Sequence, residues 1–246
     1  MKRLALLLPL LAFAASAQDS ATNAIPHHTG LAFGAGFADT RWSWPEENTV
    51  IDGAVFSLGY TCFEAHNGLG IGLGAQWADD SLNGFHLSLV QHDAVAMRGV
   101  QIAGVLNSGR CSEGIAVAGL SNMMREGCGI QLSVFNGLCP LMPPRTEAYA
   151  DYYAWFDGLN YRGVQAALGN NAASCMEGIQ IAGIANTASK VSGVQLATVF
   201  NFTGELHGLQ LGIFNRALSG QGVQIGLING FGRDTARFIP LLNARF

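Results

Sequence analysis

Gly163-Val-Gln-Ala-Ala-Leu-Gly-Asn170, Gly178-Ile-Gln-Ile-Ala-Gly-Ile-Ala-Asn186, Gly193-Val-Gln-Leu-Ala-Thr-Val-Phe-Asn201, Gly208-Leu-Gln-Leu-Gly-Ile-Phe-Asn215 and Gly222-Val-Gln-Ile-Gly-Leu-Ile-Asn229 follow one another along the chain. Their leading glycines are separated by 15, 15, 15 and 14 residues. The same residue types in the same slots at a fixed period make an internal repeat. Within each unit the character alternates. Val223, Ile225 and Leu227 point one way, and Gly222, Gln224 and Gly226 the other. A period of 2 is that of a strand with one apolar face, and a helix would need spacings of 3 and 4.

The frame extends outward from there. Gly53, Gly68, Gly84, Gly99, Gly114 and Gly129 lead earlier units, and Gly30 to Ala38 reads as a first strand. Asp39 to Thr49 reads as a loop with aromatic anchors. The pattern lapses after Asn136, where Cys139-Pro-Leu-Met-Pro-Pro144 is expected to form a loop because proline cannot donate to a sheet ladder. Tyr149 to Phe156 reads as one irregular strand, and Ala236 to Phe246 as the last. The frame predicts roughly thirteen or fourteen strands in an all-β chain. Residues 30–246 form one repeat-built domain, preceded by a polar lead-in over 18–29.

Residues 1–17 carry the features of an export signal: Lys2 and Arg3, an apolar run from Leu4 to Ala14, then Ala15-Ser16-Ala17. Removing them takes the net charge from −4 to −6. An acidic chain without Lys/Arg clusters gives no support for nucleic-acid binding. Charged residues are only 12% of the chain, against 49% hydrophobic ones and 32 glycines. So few charges suit a protein whose outer face meets something other than water, or a stack of small-residue repeats. Five cysteines in an exported chain leave at least one without an intrachain partner, and pairing between neighbouring turns is an expectation.

Two architectures accommodate the repeat. The preferred one is an antiparallel up-and-down β-barrel whose strands are long enough to cross a membrane at a tilt. Its aliphatic face would meet lipid and its Gly/Gln/Asn face would line the lumen. Turns would fall at Asn201–Gly204 and Leu218–Gln221, and Trp42, Trp44, Trp77 and Trp155 with Tyr149, Tyr152 and Tyr153 would form interfacial girdles. The alternative is a parallel β-solenoid. There, Gln101, Gln131, Gln165, Gln180, Gln195, Gln210 and Gln224 would stack as a ladder, as would the asparagines. Against it stands the length of the alternating segment, which the remaining residues of each 15-residue coil would have to retrace.

Tandem units of the form Gly222-Val-Gln-Ile-Gly-Leu-Ile-Asn229 resemble the bacterial surface-repeat family first named in spirochaetes, over about residues 99–230. The members of that family are exported, so the resemblance implies a surface or outer-membrane location. It supplies no activity and no site residues. The export signal together with a last strand ending in Phe246 also resembles outer-membrane barrels, whose terminal aromatic is read by the insertion machinery. Pro240 departs from that pattern.

No constellation carries catalysis. His27, His28, His66, His86, His92 and His207 match no metal-ligand spacing. Gly68-Leu-Gly-Ile-Gly-Leu-Gly74 lacks the Lys-Ser/Thr of a phosphate loop and reads as a closely packed strand. His92-Asp93, with Ser81 and Ser88 nearby, is the one adjacent acid–base candidate, and it has no nucleophile elbow. The expected protein is therefore non-enzymatic, with no cofactor, no metal and no catalytic residue. It is expected to be an outer-membrane or cell-surface repeat protein acting as a pore or an interaction module, with membrane lipid as its expected partner. The alternative is a secreted solenoid binding a protein or glycan along its Gln/Asn face.

Overall fold

A computed structural model describes residues 25–37, 40–137, 158–232 and 238–246. Twelve strands form a single sheet: β1 His27–Phe37, β2 Thr40–Trp44, β3 Val50–Gly72, β4 Ala75–Ser88, β5 Gln91–Ala103, β6 Leu106–Ala118, β7 Ser121–Asn136, β8 Asn160–Ala182, β9 Ala185–Ala197, β10 Phe200–Leu211, β11 Phe214–Phe231 and β12 Phe238–Arg245. From β3 to β11 each strand pairs in parallel with the next, and β1 pairs in parallel with β3. Each coil therefore lies one strand above the last, with Gly84 beside Gly99, Gly99 beside Gly114 and Gly193 beside Gly208. The chain is a parallel β-solenoid of about ten turns, not a barrel.

The objection to the solenoid fails because the alternating segment is not straight. The chain bends at Gly104–Val105, Gly119–Leu120 and Gly183–Ile184, within what the pattern reads as one strand. It turns again at the leading glycines from Gly30 to Gly208, and at Gly220 in the unit of Gly222, and the ladder lapses a third time near Val95. Three changes of direction bring it round, so no residues are needed to retrace it. The expected turns at Asn201–Gly204 and Leu218–Gln221 lie inside β10 and β11. β2 occupies part of the expected loop 39–49. Cys139–Pro144, Tyr149–Phe156 and the export signal fall outside the described residues.

Glycine at the head of each unit has a steric cause. Gly178 sits at φ +133, where a Cβ would lie 2.1 Å from the carbonyl oxygen of Gly163 below it. Stacked coils at strand spacing leave no room there for a side chain.

With the apolar and amide faces divided as the sequence implies, their destinations are the inverse of an ordinary soluble core. Gln165, Gln180, Gln195 and Gln210 point inward and are almost completely buried, as are Asn107, Asn186 and Asn201. Small residues and one aliphatic column complete the interior, with Met176, Val191 and Leu206 stacked beside Ala173, Ala188 and Ala217. The described interior is filled, so the lumen of a barrel is absent from it.

Two ends differ from the stack. β2 folds back antiparallel on β1, and β12 runs antiparallel along β11 with Val223 beside Ala244. Pro240, which argues against a barrel's last strand, lies on this edge strand, where a missing N–H leaves no inner ladder bond unmade. Next to it Leu241 takes a positive φ of 69°, and the pairing slips between Gly226 and Asn229.

Candidate functional site

Amides fill the interior in two columns, one of asparagines from Asn107 to Asn229 and one of glutamines unbroken from Gln131 to Gln224. Asn107 donates to Asn122 (2.9 Å), Asn122 to Asn136 (3.0 Å), Asn136 to Asn171 (2.8 Å) and Asn171 to Asn186 (2.9 Å). The chain continues through Asn201 and Asn215 to Asn229. The rung contributed by the Gly163 unit is Asn171, not Asn170, which is exposed. Each Asn also donates to a backbone carbonyl one coil on, as Asn186 does to Leu196 at 2.8 Å. The glutamines bond in the opposite sense: Gln224 donates back to Gln210 (2.7 Å), Gln210 to Gln195 (2.8 Å), Gln195 to Gln180 (2.9 Å) and Gln165 to Gln131 (3.0 Å). Asn243 of β12 closes that column at Gln224. Their dipoles oppose, and both columns are out of reach of a ligand. Binding along the Gln/Asn face is therefore excluded by burial.

Histidines replace amides near the start of the stack. His66, His86 and His92 lie inside, with ring centroids 4.6 Å apart for the first pair and 6.0 Å for the second, edge to face. His92 Nδ1 bonds Asn107 Oδ1 at 2.9 Å. In the orientation that satisfies both ends of its amide, Gln76 donates to His92 Nε2 at 3.3 Å. His92 thus serves as one more rung, and neutral. Burial pushes His92 and His66 down to about 4; burial first, and then the charge of His66, push His86 to about 3. Gly70 belongs to this arrangement, since a Cβ there would meet His86 Nδ1 at 2.5 Å. The Gly68–Gly74 string is close packing.

His92-Asp93 is not an acid–base pair. The two side chains point to opposite faces, and Asp93 accepts from Ser108 Oγ at 2.7 Å. His27 Nδ1 pairs with Asp52 at 3.2 Å, and His28 lies edge-on to Trp44. Trp77, near the start of β4, packs edge to face against Tyr60, 4.4 Å between centroids. Trp155 and Tyr149, Tyr152 and Tyr153 lie outside the described residues. Among the described residues no group of three or more His, Cys, Asp or Glu is placed to hold a metal ion. Cys62, Cys111, Cys128 and Cys175 form no disulfide, contrary to the expected pairing of neighbouring turns. Three of them line a shallow hollow of about 440 Å³ beside Arg162 and Tyr161, where Gly127 leaves the column short.

What remains exposed is divided sharply. Along one face the residues one and three places after each leading glycine form two outward columns. One contains Leu69, Phe85, Ile115, Ile130 and Ile179, the other Phe56, Leu87, Leu132, Ile181 and Ile225. Most of these are 37–43% exposed, because each stacks on equivalents above and below and shows only its tip. No charged residue occurs in either column. The opposite sign of surface lies just before each glycine, where Arg98 pairs with Glu113 (3.3 Å) and Arg162 with Glu177 (2.7 Å). Lys190 and His207 both reach Glu205 on the same polar side. These pairs are solvent-exposed and add little stability. The aliphatic face is the feature the sequence expects to meet something other than water, and it is the candidate functional surface.

Compared with known protein families, characterised proteins and solved structures, the chain matches none.

Proposed function

We propose that this repeat solenoid is an exported, non-enzymatic scaffold at the outer membrane or cell surface, which works by docking through its aliphatic face. One observation carries the reading: two uncharged columns of Val, Ile, Leu and Phe point outward along the length of the stack, while the amides fill the inside. At strand spacing the face measures roughly 60 by 13 Å, about 800 Å². The largest apolar patch on an ordinary monomer is about 300–600 Å², and larger ones mark interaction surfaces. Export is supported by the signal-like residues 1–17 and by the resemblance of the tandem units to exported surface repeats. The filled interior supports an interaction module over a pore.

The test uses the exposed thiol of Cys175 on intact cells that make the protein. A membrane-impermeant maleimide is expected to label it, and the double variant Ile115→Lys/Ile181→Lys is expected to fold with an unchanged melting curve but to be released from the cell. Absence of labelling, or full retention of the double variant, overturns the reading.

A further inference from the structure

The charges that border the aliphatic face follow a pattern that the fold turns into a spatial code. Reading up the stack, the residues just before successive leading glycines are Arg98, Glu113, Cys128, Arg162 and Glu177. The registers place Arg98 beside Glu113, Glu113 beside Cys128 and Cys128 beside Arg162, and Arg162 bonds Glu177 on the next coil. Reversed, the series reads Glu, Arg, Cys, Glu, Arg. It is its own charge complement about Cys128.

A surface of this kind is self-complementary under one operation. A two-fold axis lying in the face, parallel to the strands and passing through β7, lays a second copy face to face and upside down. It sets Arg98 against Glu177 of the other copy, Glu113 against Arg162, and Cys128 against Cys128. Further out, Asn83 meets Ser192 and Asn67 meets His207, with no like charges opposed at the rim.

A second observation selects the same axis. Counting along the aliphatic face, β3 and β8 each contribute two levels, because each runs on into the next coil. In the column one place after the leading glycines, which β2 does not reach because it pairs with β1 only from Phe33 onward, the face has thirteen levels from β1 to β12, and the β7 level, with Cys128, Gly129, Ile130 and Leu132, is the seventh. The axis that matches charge is also the one at which the β1-to-β12 stretches of two copies overlap fully. The area, about 800 Å² per copy, is that of a standard specific interface, and sheets packing face to face interdigitate their side chains at about 10 Å.

We infer that the occupant of the aliphatic face is a second copy of this chain, in an isologous antiparallel dimer with its two-fold axis at Cys128 and Ile130 of β7. This rests on the reading of that face as a docking surface and names its partner. Ile130 faces its own copy across the axis. Arg98–Glu113 and Arg162–Glu177 come together at the rim as networks of four alternating charges.

Sedimentation of the mature chain at micromolar concentration is expected to give the dimer mass. A chain retaining Cys128 as its sole cysteine is expected to cross-link with a short bis-maleimide, whereas one retaining only Cys175 is not, since its copies lie four levels apart. Ile130→Glu places two carboxylates on the axis and is expected to weaken association about 100-fold or more. Glu177→Arg is expected to weaken it too. Adding Arg98→Glu restores it, although both in-chain pairs then carry like charges, which a purely intrachain role could not produce. A monomeric wild-type chain, cross-linking through Cys175 but not Cys128, or no rescue by the double variant overturns the dimer. So does binding of the monomer to phospholipid vesicles that Ile130→Glu abolishes. If the wild type is monomeric while Ile115→Lys/Ile181→Lys is still released from cells, the dimer fails and the docking reading stands. If Ile130→Glu dissociates the dimer and the Lys variant stays on the cell, the reverse holds.

Discussion

Gln101 and Ala116 occupy the same interior column on adjacent coils, and the absent amide at Ala116 leaves both polar atoms of the Gln101 side chain without a partner. On the other side of the gap, Gln131 Nε2 is unpartnered as well. From Gln131 to Gln224 the same column carries glutamines in unbroken contact. Ala116→Gln is therefore expected to complete two hydrogen bonds in a site whose neighbours already show that the side chain fits. An unsatisfied buried polar group costs about 1–3 kcal/mol, so a gain on the order of 1–2 kcal/mol is expected. Urea unfolding measures it, and a loss of stability would show that the column cannot take the added volume.

Asn186 lies at the middle of the other column, with no exposed surface. It accepts from Asn171 and donates to Asn201 and to the Leu196 carbonyl. Truncating it strands groups on three coils. Asn186→Ala is expected to cost about 2–5 kcal/mol, and Asn170→Ala, exposed one coil below, less than about 0.5 kcal/mol. Equal effects would mean that the column does not organise the interior.

Gly178→Ala asks the stack to admit a methyl group 2.1 Å from the oxygen of Gly163, at a φ that L-residues rarely adopt. We expect a loss of about 3 kcal/mol or more, or loss of the folded state. Gly158→Ala, where nothing lies within 4 Å, is expected to be nearly silent. Thermal melts of the two variants side by side decide it.

Acid should open the N-terminal coils first. His66, His86 and His92 titrate at about 4, 3 and 4 in the fold, against about 6.5 in an unfolded chain. The unfolded chain binds the extra protons, so stability is fully present above pH 6.5 and falls as the pH drops toward 4. The slope is on the order of 1 kcal/mol per histidine per pH unit. Hydrogen exchange at pH 7 and 5 is expected to show protection lost in β3–β5 before β9–β11. Uniform loss along the chain would assign the acid sensitivity elsewhere.

The period, the division into two faces and the glutamine column are all legible in the chain. The architecture is not, because alternation reports only which side chains share a face. Val100, Ile102 and Gln101 alternate identically whether the segment runs straight across a barrel wall or bends at Gly104 around a coil. The decisive facts are backbone ones: the bend at Gly104 and the positive φ at the leading glycines from Gly30 to Gly208. Asn171 was obscured by its neighbour Asn170, although its spacing of eight residues from Gly163 equals that of Asn186 from Gly178. The histidine cluster joins three different slots of the repeat, and only the closure of the coil brings them together. The code about Cys128 uses residues that vary between repeats, which the search for what repeats passes over.

In-register parallel strands, stacked amides and an aliphatic sheet face are the ingredients of an amyloid fibril, built here within one chain. A fibril lengthens because its tip is always a fresh template of the same direction and register. At β12 that template is withdrawn: the strand runs the other way, Pro240 removes a donor from it, and Leu241 breaks its regularity. The protein is thus a fibril segment of fixed length, and its reversed last strand acts as a terminator of growth along the axis.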